Sequence, residues 1–204
     1  QQAIVQSKIN ECNIAPEDIG VIWGSGNGGI STFDKQMVDY AKNNEMPRFS
    51  PYFMAAILAD LAPGLIAIYH GFRGINYATV SACASANTAI IEAANNIRYG
   101  KTKVMITGGS DAPVTPSCIG GFNACKALSE DNENYLSASK PFDENRKGFV
   151  MGEGGAALVL EELEHAIERG ANIICEYAGG GMSADAYHIT QSHPEGLGAI
   201  LSMK

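Results

Sequence analysis

The chain has 204 residues, 46% of them hydrophobic and 18% charged, a balance that describes an ordinary soluble globular protein with a sizeable core. A net charge of −8 argues against a general nucleic-acid binder, which carries a basic patch, and no apolar run is long enough to span a membrane. The five cysteines, Cys12, Cys83, Cys118, Cys125 and Cys175, are odd in number, widely scattered and free of any CxxC spacing. Neither a disulfide framework nor a zinc site fits them, so no metal and no cofactor are expected. With no signal peptide visible, the expected location is cytoplasmic.

In chain order, residues 3–12 read as a helix, 13–18 as a turn and 20–23 as a short buried strand. Gly24-Ser25-Gly26-Asn27-Gly28-Gly29 then satisfies GxGxxG formally. A dinucleotide site also needs a second strand ending in an acid about twenty residues on. Here residues 33–43 read as a polar helix and 45–48 as a loop, so the cofactor reading is rejected in favour of a tight, closely packed turn. Residues 51–61 predict a buried helix with Pro51 in its first turn, residues 65–70 extend the apolar character, and 71–74 turn into what reads as the central strand.

The stretch that organises the chain is Tyr77-Ala78-Thr79-Val80-Ser81-Ala82-Cys83-Ala84-Ser85, a β-branched strand running into a helix with a cysteine at the join. Ala86, Ala89, Ile90, Ala93, Ala94 and Ile97 follow the i, i+3, i+4, i+7 spacing of a helix that buries one face. Cys83 is thereby placed where unpaired N–H groups and the positive end of the helix dipole converge, a setting that favours the nucleophilic thiolate. The plain alternative is a small buried apolar residue, which is what most free cysteines are. The small neighbours Ala82, Ala84 and Ser85 leave room for a substrate and tilt the reading toward a nucleophile.

Arg98 and Gly100 stop that helix, and residues 104–109 form a strand, so one crossover helix between strands implies parallel pairing and an α/β layer. Residues 111–150 read as loop-rich, with a solvated acidic run at 130–133. Residues 156–160 predict a strand, 161–169 an exposed helix closed by Gly170, 173–178 another strand, and 185–190 a polar loop able to border a site. The chain starts inside an amphipathic pattern and stops as another helix begins near residue 198, so it is expected to be an internal piece of a longer protein.

Taken together, the residues resemble the elongating β-ketoacyl-acyl-carrier-protein synthases, most closely the type II enzymes of bacterial fatty-acid synthesis. The resemblance rests on Gly24–Gly29, Phe72-Arg73-Gly74, Ser81-Ala82-Cys83, Gly108-Gly109, Gly120-Gly121-Phe122 through Ser129, Pro141-Phe142-Asp143 with Gly148–Gly154, and Asp185-Ala186-Tyr187-His188, in the family's order. It implies a thiolase-like α/β fold layered α-β-α-β-α. Residues 1–170 would be the N-terminal half and 171–204 the beginning of the C-terminal half.

By the same resemblance Cys83 matches the acyl-accepting nucleophile, and its own N–H one oxyanion donor. Phe122 matches an aromatic beside the acyl pocket. Asn27 stands where type II synthases carry an apolar pocket residue, which leaves chain-length preference open. Asp185, His188 and Thr190 match the pocket entrance, with Thr190 toward the pantetheine arm. Lys126 and Arg48 match basic positions facing the acidic carrier protein, although an ordinary solvated charge explains either one nearly as well. The implied partners are an acyl carrier protein bearing phosphopantetheine-linked acyl and malonyl groups, and a second copy paired through the strand before Cys83.

Two histidines, a lysine and the second oxyanion donor of the family are expected beyond Lys204. His70 and His193 are not substitutes, His165 is expected on an exposed helix, and His188 matches a pocket-rim residue. The implied reaction is decarboxylative condensation giving 3-oxoacyl-acyl-carrier protein, with the isolated piece inactive. The alternatives are a polyketide or aryl-polyene ketosynthase, a biosynthetic thiolase, or a non-catalytic carrier-binding subunit. Inactive partners of that last kind lack the cysteine, so Cys83 counts against it.

Overall fold

The first apolar residues bury a helical stripe and then stop early. In a computed structural model describing residues 1–204, α1 (Gln2–Ser7) sends Ile4 into the core. Lys8, in the left-handed region at φ 54°, ends it, so the helix expected over 3–12 continues only as a 3-10 turn at Ile9–Glu11. β1 (Ile19–Gly24) is buried along its whole length, the pattern of a parallel strand covered on both faces. α2 (Ile30–Lys42) follows the glycine turn.

Residues 51–61 differ from expectation. α3 (Phe53–Ile57) has five residues, Leu58 is extended at φ −81°, and α4 (Leu61–His70) starts afresh. Nor is the stretch buried as a whole: Phe53 is, but Met54 is 65% exposed. The local organiser is aromatic. Phe53 stacks on Phe49 at 5.1 Å and Phe33 at 6.2 Å, and Phe49 on Tyr40 at 5.7 Å, a row that sequence periodicity does not encode.

β2 (Asn76–Thr79), α5 (Ser85–Arg98) and β3 (Val104–Asp111) supply the strand–helix–strand unit, and β1 pairs in parallel with both strands. The expected parallel α/β layer is therefore present, but β2 is not central. The order is β2-β1-β3-β4, with β1 inside and β2 at the edge; β4 (Gly154–Glu161) adds antiparallel to β3, from Val104 opposite Glu161 to Asp111 opposite Gly154. Neighbouring residues of one strand face opposite sides. Ile4, Ile9, Ile19, Val21, Phe72, Val104 and Ile106 thus form one core cluster, while Ile22 and Met105 meet Ala89 and Ala93 of α5 on the other face.

The loop-rich reading of 111–150 missed a helix. α6 (Pro116–Ala124) is capped by the Thr115 side chain, which accepts the Cys118 N–H at 3.2 Å, and carries Pro116 in its first turn. Gly120 and Gly121 lower its intrinsic propensity and obscure it. α7 (Leu163–Glu168) exposes Ile167, but it is not the wholly exposed helix expected. Ala166 is buried, and a polar cluster sits beside it. Glu161 binds His165 Nδ1 at 2.5 Å and Arg169 Nε and Nη2 at 2.6 Å, and Arg169 Nη1 donates to the Ser7 carbonyl at 3.0 Å.

The strand expected at 173–178 does not form, because no other segment of the chain offers it a ladder. Instead this segment lies on α5: Arg98 donates to the Ala178 carbonyl at 3.0 Å and sits 5.4 Å from the Tyr177 ring centroid. α8 (Leu197–Met203) closes the chain as expected, and Asp185 accepts the N–H groups of Gly198 and His193 at 3.0 Å each. No helix is long and apolar enough to cross a membrane.

Candidate active site

The parallel strands β1, β2 and β3 end on the same side of the sheet, the side on which open α/β sheets hold their ligands. Cys83 lies there. It sits in a 3-10 turn, Ala82–Ala84, between the end of β2 and the first residue of α5, and it is exposed. This refines the expected elbow by one tight turn placed ahead of the helix.

Short hydrogen bonds fix the turn. Thr79 Oγ1 donates to the Ser85 carbonyl at 2.8 Å, the Ser81 N–H donates to Ser85 Oγ at 2.9 Å, and Ser85 Oγ donates to the Ala82 carbonyl at 2.6 Å. Ala82 carries φ 50°, a region that costs a non-glycine residue about 1–2 kcal/mol. A strained residue persists only where its surroundings over-determine it, and these bonds do so.

The glycine turn after β1 abuts this elbow. Gly24 is close-packed: a side chain there would run into the backbone of Ser85 and Ala86. The N–H groups of Gly26 and Asn27 and the hydroxyl of Ser25 all donate to the Asp111 carboxylate at 3.0 Å, and the Gly28 N–H donates to Ser25 Oγ at 3.0 Å. The donors that would cradle a phosphate are already held by a carboxylate of the chain itself. This agrees with the closely packed turn read from the sequence and with rejection of the dinucleotide site.

Asp111 is the residue that the sequence left unmarked, together with the hydrogen-bonding roles of Ser25 and Ser85. The available signal is an acid closing one strand, in register with a glycine turn closing the next, since Gly24 lies opposite Gly109.

Of the other candidate residues, Asn27 lies next to the elbow, through the turn it shares with Gly26; its side chain is exposed. Phe122 is on α6 and packs edge-on against Phe149 at 5.2 Å. Lys126, at φ 55°, is exposed just past α6, and Arg48 is exposed in the loop before α3. Asp185 braces α8, as described. His188 Nδ1 accepts the N–H groups of Thr190 and Gln191 at 3.1 and 3.2 Å, so His188 and Thr190 share one exposed turn.

Each of the four histidines has contacts away from Cys83. His70 stacks on Phe72 at 5.2 Å and burial holds it below its ordinary pKa, while His193 packs against Tyr187 at 5.2 Å. The side chain of His165 is only 15% exposed against Glu161, in contrast to the exposed residue expected.

A cysteine elbow at the carboxyl ends of parallel strands, backed by a small-residue helix, fits an α/β layer of the thiolase-like kind. The family described as "Beta-ketoacyl synthase, N-terminal domain" matches residues 1–166, and the chain belongs to that family. It is 45% identical over 201 residues to a 3-oxoacyl-[acyl-carrier-protein] synthase 2 of Synechocystis sp., covering 98% of this chain and 48% of that one.

Among solved structures, a β-ketoacyl synthase from Burkholderia phymatum superposes with a TM-score of 0.81 at 30% identity, over 94% of this chain and 47% of that one. A type II PKS acyl-carrier protein in complex with its ketosynthase bound to the hexaketide gives 0.80 at 30% identity, over 92% and 47%. The chain spans about half the length of these proteins.

Proposed function

We propose that the protein is a condensing acyltransferase of fatty-acid elongation, joining an acyl group held on Cys83 to malonyl-acyl-carrier protein to give 3-oxoacyl-acyl-carrier protein and carbon dioxide. The observation that carries the reading is the exposed Cys83 turn at the carboxyl ends of the parallel strands. It stands in a chain 45% identical to a 3-oxoacyl-[acyl-carrier-protein] synthase 2.

Cys83 Sγ, as thiolate, attacks the acyl thioester carbon; the bond to the carrier sulfur breaks, and that thiol leaves. The Cys83 N–H serves as one donor to the oxyanion, a contribution of the kind whose removal costs about a hundred- to a thousand-fold. Malonyl-carrier then loses carbon dioxide, its carbanion attacks the acyl-Cys83 carbon, and the Cys83 thiolate is released. The decarboxylation step is assigned to groups outside residues 1–204, since the four histidines here are engaged elsewhere.

In this reading Phe122 and Asn27 border the acyl pocket, Asp185, His188 and Thr190 its entrance, and Lys126 and Arg48 the carrier protein. Residues 1–170 form the first half and 171–204 begin the second, a division supported by the irregular backbone of residues 171–196 between α7 and α8. Homodimerisation through the open edge of β2 and a cytoplasmic location complete it.

Cys83→Ala in the full-length protein is expected to abolish incorporation of radiolabelled malonyl-carrier; retained condensation contradicts the proposal. The similarity to a polyketide ketosynthase favours a second reading with a polyketide acyl chain. Product analysis with acyl-carriers of graded length separates the two: a 3-oxoacyl product of a single condensation supports fatty-acid elongation, and poly-oxo products the alternative.

A further inference from the structure

The turn that abuts Cys83 is held by one carboxylate, and that carboxylate reaches the nucleophile through a single peptide. Asp111 takes three donors from Ser25, Gly26 and Asn27, each at 3.0 Å, and so sets the height of the β1–α2 turn over the end of β3. Gly26 is thereby pressed on the elbow: a Cβ built there would lie 3.1 Å from the Ala82 carbonyl oxygen and 3.4 Å from its carbon. On another side the same oxygen accepts the Ser85 hydroxyl at 2.6 Å.

The Ala82 carbonyl and the Cys83 N–H belong to one planar peptide, so fixing the first fixes the direction of the second. Ala82 stands at φ 50°, a strained conformation that its surroundings must hold.

We propose that Asp111 is a positioning residue for acyl transfer: through Gly26 it clamps the Ala82–Cys83 peptide, so that the Cys83 N–H is aimed at the oxyanion before substrate arrives. This rests on the acyltransferase reading above. Preorganised donors act without reorganisation at the moment of reaction, and a small misplacement is costly. Asp111 touches no reacting atom; its effect travels only through the backbone it holds.

The test separates aiming from folding by using two reagents on one sulfur. In the full-length protein, Cys83 is acylated with hexanoyl-pantetheine and, in parallel, alkylated with iodoacetamide. Alkylation occurs at a saturated carbon and builds no oxyanion. Asp111→Asn keeps the shape but places an amide N–H against a backbone N–H; acylation is expected to fall at least about tenfold while alkylation changes by less than about twofold. Gly26→Ala, which pushes on Ala82 directly, is expected to show the same split, and it decides alone should Asp111→Asn fail to fold.

Unchanged acylation in a folded variant, or acylation and alkylation falling together, overturns the inference. Wild-type protein that is alkylated at Cys83 but never acylated overturns the acyltransferase reading and this inference with it. Wild type that acylates as fast as both variants overturns the inference alone.

Discussion

Arg169 grips Glu161 with two nitrogens, Nε and Nη2, each 2.6 Å from a carboxylate oxygen, and so ties the end of β4 to the far side of α7. Burial pushes the Glu161 carboxyl upward, but the hydrogen bonds and charges of Arg169 and His165 outweigh it and hold the group below its ordinary 4.5. The same pairing raises Arg169, so the two partners agree.

A lowered carboxyl pKa in the folded state contributes stability that is fully present above about pH 4.5 and is lost as pH falls through the folded value. Urea unfolding of the full-length protein is expected to show this loss for wild type. Glu161→Gln is expected to be weaker at pH 7 by about 1–3 kcal/mol and to lack that acid limb. Parallel acid limbs in wild type and variant would contradict the assignment.

Thr107 makes the opposite case. It is 0% exposed on β3, and its hydroxyl has no hydrogen-bond partner. A buried hydroxyl without a partner costs free energy that a methyl group of similar size avoids. Thr107→Val is expected to stabilise the protein by about 1 kcal/mol, read as a higher urea midpoint with unchanged slope. A drop of similar size would mean that the hydroxyl has a partner.

The β2 edge gives a test of association. The Ile75 and Thr79 carbonyls bond to β1 through the N–H groups of Val21 and Ser25, so by the period of two the Ala78 N–H points outward. Ala78→Pro removes that outward donor and leaves the β1–β2 ladder in place. Sedimentation is expected to shift the full-length protein from dimer to monomer. A dimer that survives, with melting unchanged, would place the contact on another surface.

What was legible in the sequence was local. The spacing of Ala89 and Ala93 reports the buried face of α5 because a helix is its own ruler, and Cys83 announces itself by standing where strand becomes helix. The rank of β2 in the sheet was not legible: its composition fits any strand, whereas strand order is set by partners far away in the chain. The segment at 173–178 has strand-like composition but no ladder, and composition carries no information about partners. Asp111 stayed hidden because it serves Ser25, 86 residues earlier. Only once β1 and β3 lie side by side does an unremarkable acid become the clamp of a turn.

Cys83 Sγ is the atom expected to carry the acyl group. Incubating the full-length protein with acyl-carrier protein in the absence of malonyl groups, then mapping the proteolytic peptides by mass, is expected to place one acyl adduct on the peptide containing Cys83. Adding malonyl-carrier is expected to discharge it into 3-oxoacyl product. An adduct on Cys118 or Cys125 instead, or a Cys83 adduct that malonyl-carrier never discharges, would contradict that role for Cys83.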